Sequence, residues 1–292
     1  MESILEIKKL RKEYDEFVLD SIDWNIPKGY ITGLIGPNGA GKTTTIKLIL
    51  NHINADSGLI NIFGKDHAND HDEIAIKNRI GYVGEEQHFY DSKSAIWTGK
   101  FVSHFFKQWD MEKYHKFLDD FQIPRKKWIR KFSKGMKVKL SMAIALSHNA
   151  ELIILDEPTS GLDPIIRRDV LDLLRKITDE ENTTVLISSH ITDDLERIAD
   201  FITYMINGRI AKTASKDDLQ ANWKKIHFTK DSLDQNVLDS LGMVEDHMFG
   251  CTGITKDYLK IKDALTDGLA SGDIKVEGLG LDDILISLVK ER

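Results

Sequence analysis

One stretch, Gly36-Pro37-Asn38-Gly39-Ala40-Gly41-Lys42-Thr43-Thr44, constrains this chain more than any other. It fits the pattern of glycine, four residues, then Gly-Lys-Ser/Thr, and it stands between an apolar run, Ile31 to Ile35, and a helix-like run, Thr44 to Leu50. That strand-loop-helix context makes it a phosphate loop. Such a loop wraps backbone N–H groups around phosphates, a path that glycine permits, and the next helix points its positive end at the same anion. Lys42 then reaches the β- and γ-phosphates, and Thr43 holds Mg²⁺. A plain turn before a helix accounts for the glycines but leaves Lys-Thr at this offset unexplained.

The chain has 292 residues, 41% hydrophobic and 30% charged, enough for one large domain and a smaller one. No stretch approaches the ~18 consecutive apolar residues of a membrane span. The start, Met1-Glu2-Ser3-Ile4, lacks the basic and apolar segments of a secretory signal, so the protein is expected in the cytosol. A single cysteine, Cys251, leaves no internal disulfide and reads as a small apolar filler. The net charge of -7 argues against general nucleic-acid binding.

Ile4 to Leu10 and Val18 to Ile26 alternate apolar and polar residues, as antiparallel strands do. Tyr14, in their connection, either stacks on a nucleotide base or lies on its own hairpin. Lys65 to Glu73 is rich in His and Asp and reads as a surface loop, a metal site being the other reading. Ile80-Gly81-Tyr82-Val83 is a strand running into Gly84-Glu85-Glu86-Gln87. From Ile96 to Phe121, aromatics recur at helical spacing, and Trp97, Phe101 and Phe105 share one face. That stripe is either core or a docking surface. Eight cations follow within Arg125 to Lys139, either a solvated face or one turned to phosphate or an anionic membrane.

Phe132-Ser133-Lys134-Gly135-Met136 opens a helix running through Ser147, with Ser133 and Gly135 at its positive end. Leu152-Ile153-Ile154-Leu155-Asp156-Glu157 suits a buried parallel strand whose two acids sit at its carboxyl end, where α/β folds place ligands. There Asp156 helps to hold Mg²⁺ and Glu157 serves as general base toward water. Ser160-Gly161-Leu162-Asp163-Pro164 is a turn and helix start, and the strand Thr184 to Ser189 ends at His190, within reach of a γ-phosphate.

These motifs, in this order, resemble the nucleotide-binding subunit of an ABC transporter over residues 1–215. The resemblance implies an α/β P-loop NTPase with an antiparallel β subdomain and a helical subdomain at about 90–150. It also implies an ATPase with ATP and Mg²⁺, and a dimer, with itself or with a second nucleotide-binding subunit, that sandwiches two ATP molecules. Ser133 and Gly135 would then bind the γ-phosphate held by the other subunit's Lys42. Tyr14 matches the base-stacking aromatic, Asp163 the cross-interface turn and His190 the switch histidine. The nucleotide contacts would come from Gly36, Pro37, Asn38, Gly39, Ala40, Gly41, Lys42, Thr43 and Thr44, with catalysis from Glu157, His190 and Lys42.

The motif FSKGM in place of LSGGQ is similar to ABC-2-type exporter ATPases, with Gram-positive peptide or antibiotic exporters resembling it most. Where the family carries a loop glutamine this chain has Glu85, with Gln87 two residues on, and Glu85 is the expected loop ligand to Mg²⁺. The partner implied is a separate membrane-spanning permease, which would hold the protein at the cytoplasmic face of the membrane. A soluble ABC ATPase acting on ribosomes or nucleic acid is the alternative. Residues 216–292 read as β-α-β-β-α-β, with a helix over Ser232 to Leu241 and strands over Met243 to Phe249 and Asp257 to Lys262, a small accessory domain of ferredoxin-like pattern.

Overall fold

The computed structural model describes residues 1–229, 232–247 and 250–290, and the chain forms two compact units, Met1–Lys212 and Thr213–Arg292. The first opens with β1 (Ser3–Tyr14) and β2 (Phe17–Pro27), paired antiparallel. In β2 Leu19, Ile22, Trp24 and Ile26 are buried and Ser21, Asp23 and Asn25 exposed, the period-two pattern of a sheet with one wet face. Then come β3 (Ile31–Ile35), α1 (Lys42–Ile49), β4 (Ser57–Ile62), β5 (Lys65–Asp66), α2 (Asp70–Lys77) and β6 (Ile80–Val83). The helices α3 (Ala95–Val102), α4 (Met111–Asp120) and α5 (Lys134–Leu146) follow. The unit is completed by β7 (Leu152–Asp156), α6 (Pro164–Glu181), β8 (Thr184–Ser189), α7 (Thr192–Ile198) and β9 (Phe201–Ile206), and β10 (Arg209–Ser215) leaves it.

Two sheets result, one ordered β2-β1-β4-β5 and one ordered β10-β9-β3-β8-β7-β6. In the second, β3, β8, β7 and β6 run parallel in register, and every residue of β3, β7 and β8 is buried. Continuous apolar runs mark strands covered on both faces. The carboxyl ends of β3, β8 and β7 therefore lie side by side, so residues far apart in sequence meet there.

The segment Lys65 to Glu73, expected as a loop, instead supplies β5 and the start of α2. Asn69 caps that helix by accepting from the His71 amide, and His67 is buried with Nε2 2.9 Å from the Leu48 carbonyl. Capping and loop composition look alike in sequence, because the same polar residues serve both. The aromatic run divides. Trp109, Phe117 and Phe121 pack against a core of Tyr114, Leu118, Ile129 and Leu140. Phe101 and Phe105 are 38% and 64% exposed, Tyr90 is 60% exposed and Trp97 half-buried, so the stripe lies on the surface. Among the cations, Arg125 pairs with Asp119, Lys137 with Asp91 and Lys139 with Asp169, the ordinary arrangement of a solvated face.

The second unit begins with α8 (Lys216–Asn222), β11 (Lys224–Phe228), α9 (Gln235–Asp239), β12 (Gly242–His247) and β13 (Gly250–Thr255). It ends with α10 (Tyr258–Ile261), α11 (Thr266–Ser271), β14 (Ile274–Gly278) and α12 (Leu281–Lys290). Its sheet is ordered β12-β13-β11-β14 and its pairs are antiparallel. The strand expected over Asp257 to Lys262 is α10 instead, and the strand lies earlier, at β13. Gly250 and Gly253 conceal it in the sequence; a side chain at 253 would meet Leu241 at 2.8 Å, so the glycine marks close packing. The helix expected over Ser232 to Leu241 is confined to α9, and Phe249, expected to end a strand, lies outside the described residues.

Candidate functional site

The phosphate loop joins β3 to α1. Gly41 sits at φ 107°, in the left-handed region, as the cap residue of α1, and a side chain at Gly36 would lie 2.2 Å from the Met205 carbonyl oxygen. Both positions need glycine, one for its dihedral and one for space. With the Ala40 amide donating to Pro37 O at 3.1 Å the loop closes on itself, and Lys42, 7% exposed, donates to Gly36 O at 2.7 Å and Pro37 O at 3.3 Å. Burial pushes the Lys42 ammonium below its ordinary pKa, against the pull of Glu157 and Asp156.

Ala40, Gly41 and Lys42 wall a cleft of about 730 Å³ with Asn38, Gly39, Thr43, Thr44, Glu85, Glu157, Ser160 and His190, and Gly36 and Pro37 are not in that wall. A cleft of that size takes a small-molecule ligand, and its loop and helix end are built for an anion. Glu157 holds φ 50°, unusual for a residue with a side chain, and its carboxylate is divided between two partners. Oε1 lies 3.8 Å from Lys42 Nζ, and Oε2 lies 2.6 Å from His190 Nδ1 while accepting the His190 amide at 3.2 Å. A carboxylate and an imidazole in direct contact, open to the cleft, can move a proton. Asp156, 2% exposed, has Oδ1 tied to Ser188 at 2.6 Å.

Glu85 faces the cleft, whereas Gln87 turns its amide back to Gly84 O and leaves its buried Oε1 without a hydrogen-bond partner among the described residues. Tyr14 ends β1, 45% exposed and paired in register with Phe17. The cleft wall at this point is Glu16 and Phe17, the latter touching the Gly41 position, and the sequence reading did not single them out. Their signal was adjacency to Tyr14 in a turn.

Ser133 and Asp163 stand apart from this cleft. Ser133 caps α5 by accepting from the Met136 amide at 3.2 Å, and Asp163 caps α6 by accepting from the Ile165 and Ile166 amides at 3.1 Å each. The two helix ends adjoin: a Cβ on Gly135 would meet Ile166 at 2.6 Å, and one on Gly161 would meet Lys134 Nζ at 3.1 Å. The FSKGM motif and the turn at Asp163 are thus one surface, and neither Ser133 nor Gly135 lines the cleft of the chain's own phosphate loop.

Comparison with known proteins agrees with this geometry. Residues 19–160 match the family model "ABC transporter". The chain is 32% identical over 230 residues to ABC transporter ATP-binding protein YtrB of Bacillus subtilis (strain 168), covering 78% of each chain. It is 35% identical over 230 residues to bacitracin transport ATP-binding protein BcrA of Bacillus licheniformis, covering 77% of this chain and 74% of that one. A solved ATP-binding subunit of an ABC transporter superposes with TM-score 0.68 at 26% identity, over 75% of this chain and 92% of its own. Cleft, strand order and relatives converge: this chain belongs to the ABC transporter family, as one of its ATP-binding, ATP-hydrolysing subunits.

Proposed function

We propose that this chain is the motor of an exporter, working as an ATP-bridged dimer, with itself or with a second nucleotide-binding subunit, under a separate membrane permease at the cytoplasmic face. The reading is supported most by one observation: the Glu157 carboxylate is held between Lys42 and His190 at the ends of adjacent parallel strands. Lys42 and the loop amides bind the phosphates, Glu157 takes the proton of the attacking water, and His190 orients that base and reaches the γ-phosphate. Tyr14 is the residue for the adenine face, with Phe17 lining the wall beside it.

The cation that accompanies ATP fits the donor set. Among the described residues the second oxygen of Asp156 and the Thr43 hydroxyl have no hydrogen-bond partner, and Glu85 adds a carboxylate at the cleft, all hard oxygens suited to Mg²⁺. When bound, that ion neutralises phosphate charge. Ser133, Gly135 and Asp163 form a surface away from their own cleft, the arrangement required of a γ-phosphate site completed on the opposite subunit. A peptide or antibiotic is the proposed cargo, supported by the FSKGM motif and by a relative named for bacitracin transport. We assign Thr213–Arg292 to a ferredoxin-like accessory domain, supported by its antiparallel order β12-β13-β11-β14.

The test uses Glu157→Gln, whose amide keeps the shape and cannot accept the proton. Steady-state hydrolysis should fall to a small residual rate while ATP binding persists, and sedimentation should give dimer in ATP and less in ADP. Turnover near wild type would remove Glu157 from the mechanism, and a monomer in saturating ATP would remove the self-sufficient sandwich.

A further inference from the structure

Behind the cleft, one fully buried hydroxyl serves both acids of the LIILDEP stretch. Ser188 lies opposite Asp156 in the parallel pairing of β7 with β8, and it is wholly buried. Its Oγ donates to Asp156 Oδ1 at 2.6 Å and accepts from the Glu157 amide at 3.1 Å. The Glu157 amide also approaches the Ser188 carbonyl, at 3.2 Å. A serine hydroxyl has one proton, and a carboxylate can only accept, so the direction of the chain is fixed: amide to hydroxyl to carboxylate. Two consequences follow. One oxygen of Asp156 is occupied and the other has no hydrogen-bond partner among the described residues, and the peptide of Glu157, at φ 50°, is pinned from the neighbouring strand.

We infer that Ser188 is a positioning residue for the metal-nucleotide site: its hydroxyl fixes which oxygen of Asp156 is offered to Mg²⁺ and seats the backbone from which Glu157 projects. This rests on Asp156 being a metal ligand, as proposed above. An alanine there has the wrong chemistry rather than the wrong size. It removes the donor from a buried carboxylate, so that both oxygens compete for whatever polar groups remain, and the Glu157 amide keeps only the carbonyl. Partners that orient a ligating carboxylate typically account for 10–100-fold in metal affinity when removed.

The experiment titrates Mn²⁺, read by its electron paramagnetic resonance signal, into the full chain with a non-hydrolysable ATP analogue. Ser188→Ala and the near-isosteric, weakly donating Ser188→Cys are compared with Asp156→Asn. Both Ser188 variants should lose about 10-fold or more in Mn²⁺ affinity, with nucleotide affinity in metal-free buffer unchanged. If Ser188→Ala does not fold, Ser188→Cys decides: a variant that melts like wild type and binds Mn²⁺ like wild type overturns the inference. Should Asp156→Asn also leave Mn²⁺ affinity intact, the failure lies with Asp156 as ligand. If Asp156→Asn weakens Mn²⁺ and the Ser188 variants do not, it lies with Ser188 alone.

Discussion

His190 Nδ1 lies 2.6 Å from Glu157 Oε2, and the His190 amide donates to that same oxygen at 3.2 Å. One residue thus holds the carboxylate by side chain and by backbone. The side-chain contact depends on the turn after β8 standing beside the end of β7, a proximity that the strand order creates.

If the pair acts as a unit, its losses should not add. His190→Ala should lower ATP turnover by about 10²–10⁴-fold, the range of a lost proton-transfer partner, while the amide contact keeps Glu157 in place. The double variant His190→Ala/Glu157→Gln should be no slower than Glu157→Gln alone. Turnover assays on the three proteins decide, and fully multiplicative losses would separate the roles.

The two aromatics paired at the β1–β2 turn divide by chemistry. Tyr14 is more exposed and packs only loosely under Lys12, whose Nζ lies 5.7 Å from the ring centre, whereas Phe17 touches the loop at Gly41. Tyr14→Ala should weaken ATP by ~1–3 kcal/mol, the scale of stacking on a base, and leave inorganic tripolyphosphate binding untouched. Phe17→Ala should weaken both by disturbing the loop. Calorimetric titration with the two ligands checks this, and an unchanged ATP affinity for Tyr14→Ala would release that residue from base recognition.

Much of the candidate site's lining was legible because its residues carry backbone requirements or charge that few alternatives explain: Gly41, Lys42 and Glu157 at the end of an apolar strand. Ser188 was not, since a serine in a buried strand looks like filler until the register sets it against Asp156. Phe17 was hidden by Tyr14, the more distinctive aromatic nearby. In the second unit the glycines at 250 and 253 mask β13, where tertiary packing overrides local preference. His67 looked solvated because polar neighbours surround it, although the chain folds it onto the Leu48 carbonyl.

Acid should weaken the first unit through His148. Its ring is buried, stacked on Phe106 at 4.0 Å between ring centres, with Nε2 3.0 Å from Ile80 O and Nδ1 3.2 Å from Ile144 O. Burial holds its pKa below the ordinary histidine value, aided slightly by Lys113, and outweighs the two carbonyls, which favour the cation. The unfolded chain, with histidine near ~6.5, therefore takes up its proton first as pH falls. Stability contributed by neutral His148 is full above that value and is lost as pH drops from it toward the depressed folded pKa. Melting temperature should fall over this window. His148→Phe should flatten the slope without removing it, because His52 is also lowered by burial. An unchanged slope would show that the carbonyls prevail.

The surface for the membrane partner is expected on the aromatic stripe. Trp97 and Phe101 stack at 5.0 Å, Phe105 continues the row at 5.3 Å, Tyr90 stands edge-on to the first two, and Lys93 covers Trp97 at 4.9 Å. Large rings left this open to water are an unusual use of apolar surface and fit an amphipathic helix laid across them. In sequence the stripe lies between Glu85, which faces the cleft, and the FSKGM motif at Ser133, so a helix seated on it would bear on the segment that joins these two parts. Tyr114, buried in the core of the same region, donates its hydroxyl to Ala95 O at 2.7 Å and packs its ring against Gly99 of α3, the helix that carries Trp97 and Phe101. Phe101→Ala and Phe105→Ala should each leave melting and basal ATP turnover close to wild type. Each should weaken co-purification with the permease by ~2 kcal/mol, the scale of a buried aromatic anchor. Retention of the complex and of transport in the double variant would place the coupling surface elsewhere on this unit.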